Sequence, residues 1–360
     1  MSSSRSTVIQ ELVHLLTSQL DHSAQPDPSS SGPMTTSYKA VLTGIQRVVS
    51  ELIPGTPLSA TFHDGKVHDP LGGGAYAFQQ DYVTPILRAL LNDENPNLLE
   101  IINARSLPTR PIVIHASLQP YFSPHIETLV GFSFTFAFAQ ALRDRMLAIA
   151  ATGESTAPPP VTVLITLIDT TPVKSQSFKC NGTKYQKSYK DVPEAVSQYM
   201  ADWEEVFRFL SVWSGISFHK ALQADLFSDA NMPDLVNYLI SQRAILGPQL
   251  LPKYGSLAIR SACPKPGCSL IEVRGQLNEY QTGVNDDLGA ITFSCPHHGD
   301  YTINLSRREE VARLEADSPV RTLLRTMAHL LDTSVHNICI TSPSKAGIYQ
   351  ETLLYRPLAA

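Results

Sequence analysis

The clearest indication of the fold class is in residues Pro111 to Arg145, PIVIHASLQPYFSPHIETLVGFSFTFAFAQALRDR. It begins with the apolar run Ile112-Val113-Ile114, which is typical of a buried strand. A loop containing serine and proline follows over Ser117 to Pro124, and from His125 the apolar residues continue as one long helix that ends at Arg143-Asp144-Arg145. In doubly wound α/β domains, such a unit binds ligands where the strand ends and the helix begins. We therefore expect a Rossmann-like parallel sheet with a functional site near this loop.

The rest of the chain supplies further strands and helices for such a domain. The run VTVLITLID at 161–169 predicts a second buried strand, which the right-handed crossover rule makes parallel to the first. Apolar periodicity predicts helices at 8–20, 38–52, 82–91, 98–104, 192–213, 233–246 and 320–331, a short strand at 337–341, and irregular structure over 54–80. The predicted organisation is an N-terminal helix (1–20), a Pro/Ser-rich flexible linker (21–37), a catalytic α/β domain that begins with helices (38–254), a zinc-knuckle subdomain of short strands (255–305) and a C-terminal part of the catalytic domain (306–360).

Composition limits the class of protein. The 360 residues are 43% hydrophobic and 17% charged, and the formal net charge is −5. This is typical of a soluble globular protein, and any binding to nucleic acid must come from local basic patches. No apolar run approaches 18 residues and the N-terminus lacks a signal peptide's apolar core, so we expect no membrane partner. Five cysteines, spaced unlike a small secreted scaffold, indicate a reducing, cytoplasmic compartment, while the oligomeric state is left open.

Two short knuckles supply candidate metal ligands. They are Cys263-Pro-Lys-Pro-Gly-Cys268 and Cys295-Pro-His297-His298, and two such turns are how a closed tetrahedral zinc site is built. The first knuckle has C-x4-C spacing where C-x2-C is usual. We predict a structural zinc ion held by Cys263, Cys268, Cys295 and His298, with His297 as the alternative to His298. Cysteines without metal, either reduced or disulfide-linked, and a catalytic zinc are the other interpretations.

Residues 173–190 contain five lysines and no acidic residue. The segment is either a solvated loop or a flexible basic arm that contacts phosphates.

The start of the predicted helix carries a family resemblance. In Ser123-Pro124-His125-Ile126-Glu127-Thr128-Leu129 the pattern Pro-His-Ile-x-x-Leu resembles the first signature of class I aminoacyl-tRNA synthetases, whose usual form is His-Ile-Gly-His or His-Ile-Gly-Asn. Class I lysyl-tRNA synthetases are also similar in the Ala141 to Arg145 run, in a strand ending on Asp (here Asp169) soon followed by proline, and in zinc knuckles further along the chain. The resemblance covers about residues 108 to 350.

The departures from the synthetase pattern concern ATP. Glu127 replaces the signature glycine that lets adenine lie against the backbone, and Thr128 occupies the second signature position. The Lys-rich loop that stabilises the phosphates has no good match, and a triphosphate needs such donors. We therefore expect no ATP cofactor. Because the sequence ends at Ala360, we also expect no anticodon-binding domain.

A synthetase-like fold without ATP chemistry resembles the cyclodipeptide synthases, which join two aminoacyl groups from charged tRNAs into a diketopiperazine. The whole pattern, zinc knuckles included, is most similar to the fungal arginine-containing cyclodipeptide synthases. This implies an aminoacyltransferase of secondary metabolism whose partners are arginyl-tRNA and a second charged tRNA. The alternatives are another aminoacyl-tRNA-dependent transferase, a truncated lysyl- or arginyl-type synthetase, and a non-catalytic zinc-containing tRNA-binding module.

The resemblance also implies roles for individual residues. Ser117 or Ser123 would take the first aminoacyl group as an ester, although Ser123 could instead cap the helix and transfer could be direct. His115 or His125 would move protons or hold the terminal adenosine. A carboxylate must meet the arginyl guanidinium, and the candidates are Asp169, Asp202 and Glu205, of which the last two could simply form a solvated helix face. Tyr199 and Trp203 could stack on a side chain or base. The predicted tRNA contacts are Arg143, Arg145, Lys174, Lys179, Lys184, Lys187 and Lys190.

Overall fold

The computed structural model describes residues 61–63, 66–69, 83–94, 107–152, 157–173, 177–192, 194, 197–283 and 288–340. The chain forms two compact units, Met1–Ile101 and Ile102–Ala360. Several predictions lie outside the described residues, namely the helices at 8–20, 38–52 and 98–104, the linker at 21–37, and Lys174.

The first unit contains a short hairpin and a helix. Strands β1 (Thr61–His63) and β2 (Lys66–Asp69) pair antiparallel, and helix α1 spans Val83–Glu94. The prediction of irregular structure over 54–80 was wrong at the two strands, because three or four residues are too few to show an alternating pattern. The helix predicted at 82–91 is present and ends at Glu94.

The second unit is built on a four-stranded parallel sheet, so the fold is mixed α/β and consistent with a Rossmann-like core. The sheet order is β14-β3-β4-β7, with β3 at Ile112–Leu118, β4 at Val161–Leu167, β7 at Phe218–Leu222 and β14 at His336–Cys339. Helix α2 (Ile126–Ala151) connects β3 to β4, and α3 (Met200–Ser214) lies between β4 and β7. The strands predicted from Ile112 and at 161–169 are present and parallel, as expected, and the short strand predicted at 337–341 is β14, which begins at His336 and ends at Cys339.

Helices cover both faces of this sheet. The strand register places Ile114, Val163 and Phe218 on one face, where Phe136 of α2 and Phe207 of α3 contact the ring of Phe218. The residue after Ile114, His115, points to the opposite face because side chains alternate along a strand. There it contacts His329 of the helix Ser318–Leu331. The sheet is therefore the middle layer of three.

Two element boundaries near the opening stretch differ from the prediction. Strand β3 continues to Leu118, so Ser117 lies in the strand and not in the loop, because β4 pairs with β3 as far as Leu118, whereas β14 pairs with it only as far as His115. Helix α2 continues six residues beyond Arg145 to Ala151, since the segment MLAIAA consists of residues compatible with a helix. Neither α2 nor any other helix in the described ranges has the length and hydropathy needed to cross a bilayer.

Helix α3 begins at Met200, later than the predicted 192. Residues Tyr189–Asp191 form a single 3-10 turn instead. Val192 ends that turn with φ −136° and ψ 67°, because a residue that precedes proline is disfavoured in the helical region.

The remaining residues form a second apolar core beside the sheet. The helix predicted at 233–246 is divided at Gln242 into α4 (Met232–Ser241) and α5 (Arg243–Leu250), and α6 (Arg308–Val311) and α7 (Ser318–Leu331) follow. The predicted short strands are β8 (Ile259–Ser261), β9 (Ile271–Glu272), β10 (Glu279–Gln281), β11 (Ala290–Cys295) and β12 (Gly299–Asn304), and β13 (Leu314–Ala316) pairs with β8. Buried side chains of α4, β11, β12 and α7 pack into one cluster.

The lysine-rich segment is a β-hairpin, not the loop or flexible arm that was predicted. Strands β5 (Phe178–Cys180) and β6 (Thr183–Gln186) pair antiparallel, and β6 also pairs with β9. The connecting residues Asn181 and Gly182 have φ of 49° and 81°, which are the left-handed values of a two-residue hairpin turn that favours Asn-Gly.

Candidate functional site

The strand order creates a topological switch point between β3 and β14. The chain progresses from β3 through β4 to β7 and then returns to the other side of β3. Ligands of open α/β sheets bind beyond the carboxyl ends of the strands at such a point. The two strands end at Leu118 and Cys339, and α7 contacts the face from which His115 and Ser117 project.

Ser117 is an exposed hydroxyl at this crevice with a cation beside it. Arg325 of α7 donates a hydrogen bond from Nη1 to Ser117 Oγ at 3.2 Å. A guanidinium in this position stabilises negative charge that develops on the hydroxyl oxygen or on an acyl oxygen bound next to it. Arg325 was not predicted as a site residue, because it lies 208 residues from Ser117 in the sequence.

His115 forms part of a buried pair of imidazoles. Its Nε2 lies 2.7 Å from Asn337 Oδ1, which only accepts, so Nε2 carries the proton and Nδ1 is the lone-pair nitrogen. The ring centroid is 4.3 Å from that of His329. Burial lowers the pKa of His115, and burial, the neighbouring His115 imidazole and the positive charge of Arg325 together lower the pKa of His329 to about 3. Both imidazoles are therefore neutral near pH 7.

The loop between β3 and α2 is held by contacts at its end. The His125 backbone N–H donates to Thr128 Oγ1 at 3.3 Å, and Thr128 Oγ1 donates to the His125 carbonyl oxygen at 2.9 Å. The helix begins at this reciprocal pair, so capping by Ser123 was the wrong alternative; Ser123 and the side chain of His125 are both exposed.

The side chain of Trp203 on α3 is hydrogen-bonded to the same loop. It is fully buried against Phe132 and Phe207, and its indole N–H donates to the Phe122 carbonyl oxygen at 2.8 Å. A ring enclosed on all sides cannot stack on a substrate, so the structure contradicts that prediction. Helical periodicity alone did not show which face of α3 is buried. Tyr199, just before α3, is partly buried, whereas Asp202 and Glu205 are exposed.

Asp169 follows β4 but belongs to an interior polar network. Its Oδ1 accepts the Ala224 backbone N–H at 3.0 Å, and burial raises the pKa of the carboxyl above its ordinary value. Nearby, Lys190 Nζ lies 2.7 Å from Oε1 of the fully buried Glu315, and Ser188 Oγ donates to Glu315 Oε2 at 2.5 Å. Lys190, which was predicted to contact tRNA, is therefore engaged in an ion pair with a buried carboxylate.

The other predicted basic contacts are distributed over two elements. Arg143 donates from Nη1 to the carbonyl oxygen of Gly215, which ends α3, and pairs with Asp144 at 2.8 Å. Arg145 is exposed on α2. In the hairpin, the predicted contacts are Lys179 and Lys184, which are exposed, and Lys187, which follows β6 and is partly buried.

Three cysteines and one histidine converge at the knuckles. Cys268 Sγ and Cys295 Sγ are 3.7 Å apart, and His298 Nδ1 lies 3.5 Å from Cys263 Sγ and 3.6 Å from Cys295 Sγ. A tetrahedral zinc ion with sulfur at about 2.3 Å and nitrogen at about 2.0–2.1 Å sets its ligand atoms about 3.5–3.8 Å apart. The four residues therefore could bind a metal ion such as zinc. His298 and not His297 supplies the nitrogen, since the His297 ring stacks on Phe178.

Backbone amides near the cysteine sulfurs of this cluster favour the thiolate form, which is the form that binds a metal cation. Burial opposes ionisation of Cys295, but the N–H groups of His297 and His298 and the thiol of Cys263 lower the pKa of Cys295 overall. Burial raises the pKa of Cys263 to about 11, and the Lys265 N–H acts in the opposite direction. Such amide–sulfur contacts orient and stabilise the thiolates that ligate a metal.

Compared with protein-family models and with curated proteins, the chain has no match.

Proposed function

We propose that the chain is an aminoacyl-tRNA-dependent acyltransferase that joins an arginyl group and a second aminoacyl group into a cyclic dipeptide without ATP. The observation that carries this proposal is Ser117, an exposed hydroxyl at the carboxyl end of β3 that receives the Arg325 hydrogen bond at a switch point. An aminoacyl ester on tRNA is already activated, so the protein needs only a nucleophile, a proton carrier and a means of positioning two substrates.

In the first step, Ser117 Oγ attacks the ester carbonyl carbon of arginyl-tRNA. His115 accepts the hydroxyl proton at Nδ1, because Asn337 fixes the other ring proton on Nε2. The carbon–oxygen bond to the tRNA ribose then breaks, the departing oxygen takes that proton, and the arginyl group remains as an ester on Ser117. Arg325 stabilises the negative charge of the tetrahedral intermediate.

In the second step, the α-amine of the other aminoacyl-tRNA attacks the ester on Ser117. A peptide bond forms, the serine oxygen leaves and recovers a proton from the amine, and a dipeptide remains esterified to the second tRNA. The free amine of that dipeptide then attacks its own ester, which closes the six-membered ring and releases the tRNA. Asp202 and Glu205, exposed on α3, are the carboxylates available to the arginyl guanidinium.

We also propose that the second unit has the fold of a class I synthetase-like catalytic domain. A class I synthetase-like catalytic domain with N-terminal helices accounts for the β3–loop–α2 unit, whose helix begins at the Pro-His-Ile motif. Cys263, Cys268, Cys295 and His298 would hold a zinc ion as an inserted structural knuckle. Four protein ligands leave no open position for a substrate, so this ion would stabilise local structure and take no part in acyl transfer.

Mass spectrometry of the purified protein incubated with arginyl-tRNA and a mixture of other charged tRNAs tests this function. We expect a new diketopiperazine containing arginine, formed without ATP. Exchange of pyrophosphate into ATP that depends on arginine or lysine would instead support a synthetase. Tight tRNA binding by a folded protein that makes no product would support a binding module and overturn the enzyme proposal.

A further inference from the structure

The hairpin of β5 and β6 has two chemically different faces. Its register pairs Phe178 with Tyr185 and Lys179 with Lys184. The aromatic rings stack with centroids 5.6 Å apart and pack against the cluster that contains Cys263, Cys268 and Cys295. Because side chains alternate along a strand, Lys179 and Lys184 point the other way, and both are exposed.

The two lysines form a like-charge pair across the strands. Residues directly opposite in an antiparallel pair have Cβ atoms about 4.5–5.5 Å apart, and like charges there are destabilising. In the described part of the second unit, neither ammonium has an ion-pair partner. A chain with net charge −5 therefore places two adjacent cations on the exposed face of a hairpin, and an anionic ligand would relieve their repulsion.

The hairpin is fixed to the Cys/His cluster through His297. This imidazole lies between the ligating residues Cys295 and His298 in sequence, and it stacks on Phe178 with centroids 5.5 Å apart and an interplanar angle of 11°. Strand β6 is also hydrogen-bonded to β9, which closely follows Cys268 in the chain. The position of the two lysines thus depends on the conformation of the second knuckle.

We propose that Lys179 and Lys184 form a phosphate-binding surface for tRNA, and that the metal ion controls this surface by holding His297 against Phe178. The ion would set RNA affinity without touching RNA, because the hairpin separates it from the lysines. This inference rests on the proposed function for the identity of the RNA. The chemical group that the two lysines would bind is the phosphate of the RNA backbone.

Binding of uncharged tRNA, measured at several salt concentrations, tests the surface. Each lost phosphate contact lowers the slope of log affinity against log salt by about 0.7–0.9, so Lys179→Ala/Lys184→Ala should lower it by about 1.5 and weaken binding about tenfold at low salt. Lys253→Ala/Arg308→Ala removes the same charge from exposed sites on other elements and should bind as the wild type does. An unchanged slope and affinity in the hairpin variant would overturn the proposal.

The metal's part is tested with a variant that keeps the ligands. His297→Ala should retain the metal content of the wild type, because His298 supplies the ligand nitrogen, yet should lose most of the tRNA affinity that Lys179→Ala/Lys184→Ala loses. Combining His297→Ala with the lysine changes should add little, since both disrupt the same contact. Full tRNA affinity in His297→Ala, or in protein that a chelator has stripped of metal and that circular dichroism shows to be folded, would refute metal control.

Binding and catalysis give separate results in these experiments. Uncharged tRNA carries no aminoacyl group, so metal-dependent binding without a diketopiperazine would leave this inference standing and remove the synthase. Product formation by the wild type together with an unchanged tRNA affinity in the hairpin variant would support the synthase and overturn the inference about the hairpin.

Discussion

Ser117 and Ser123 have the same side chain but different surroundings. Ser117 accepts a hydrogen bond from a guanidinium at the end of a central strand, whereas Ser123 lies in a loop before the His125–Thr128 pair. We expect Ser117→Ala to abolish diketopiperazine formation and Ser123→Ala to reduce it less than about threefold, because only the first removes the nucleophile. Mass spectrometry of intact protein should detect an arginyl ester in Ser123→Ala and not in Ser117→Ala. Equal activity in both variants would mean direct transfer between tRNAs.

The neutral imidazoles predict a dependence of stability on pH. The folded pKa of His329, about 3, lies below the value of 6.5 expected in the unfolded chain. Above pH 6.5 neither state binds the proton, and between pH 6.5 and 3 only the unfolded state does. The free energy of unfolding therefore decreases as the pH is lowered through this range, by up to about 1.4 kcal/mol per pH unit. Urea titrations at pH 7 and pH 5 should show this loss, and His329→Gln should lose less over the same interval. An identical loss of unfolding free energy in the wild type and in His329→Gln would contradict a lowered pKa of His329 in the folded protein.

Some of the residues that line the crevice could be predicted from the sequence and others could not. Ser117 and His115 were predicted because they lie beside the loop of a recognisable strand–helix unit. Arg325, His329 and Asn337 were not, because no local pattern distinguishes an arginine or histidine on an amphipathic helix that faces a crevice from one that faces solvent. Their role depends on β14 pairing with β3 across more than 200 residues.

Among the elements, α3 supports the loop that follows β3. The indole N–H of Trp203 satisfies the Phe122 carbonyl, and a buried carbonyl without its donor costs about 1–3 kcal/mol. Trp203→Phe should lower the free energy of unfolding by about that amount in urea denaturation. Trp213→Phe is the matched control, since Trp213 is on the same helix and 52% exposed. A control variant as unstable as Trp203→Phe would show that the loop contact is not the cause.

Sequence reasoning succeeded for elements with a strong apolar pattern and failed for polar ones. The runs that form β3, β4 and α7 were predicted because burial on one or both faces leaves a continuous or periodic apolar pattern. The β5–β6 hairpin was missed because its lysines make the segment polar overall, so the two aromatic residues on the other face gave no clear apolar pattern. The Asn181-Gly182 pair between β-branched and aromatic residues was the signal that could have identified it.

At the scale of the whole second unit, Glu315 connects β13 to the segment that follows the β5–β6 hairpin. It lies on β13, is fully buried, and joins Lys190 and Ser188, which follow the hairpin. Removing one partner of a buried ion pair costs about 3–5 kcal/mol, so Glu315→Gln should be destabilised by about 3 kcal/mol because Lys190 is partly exposed. Glu309→Gln, at an exposed position on α6, should change stability by less than about 0.5 kcal/mol. Thermal or urea unfolding of the two variants distinguishes them, and equal stabilities would exclude Glu315 as a structural centre.

The sheet order has a consequence for how the protein reaches its native state. A chain growing from its N-terminus can pair β3, β4 and β7 once residue 222 has emerged, but β14 begins only at His336. Until then β3 is an edge strand with unpaired backbone groups, and such edges invite pairing with other chains. Contacts of high sequence separation also form slowly. We therefore expect slow folding and a dependence on chaperones, because the crevice is assembled by one of the last strands to be made.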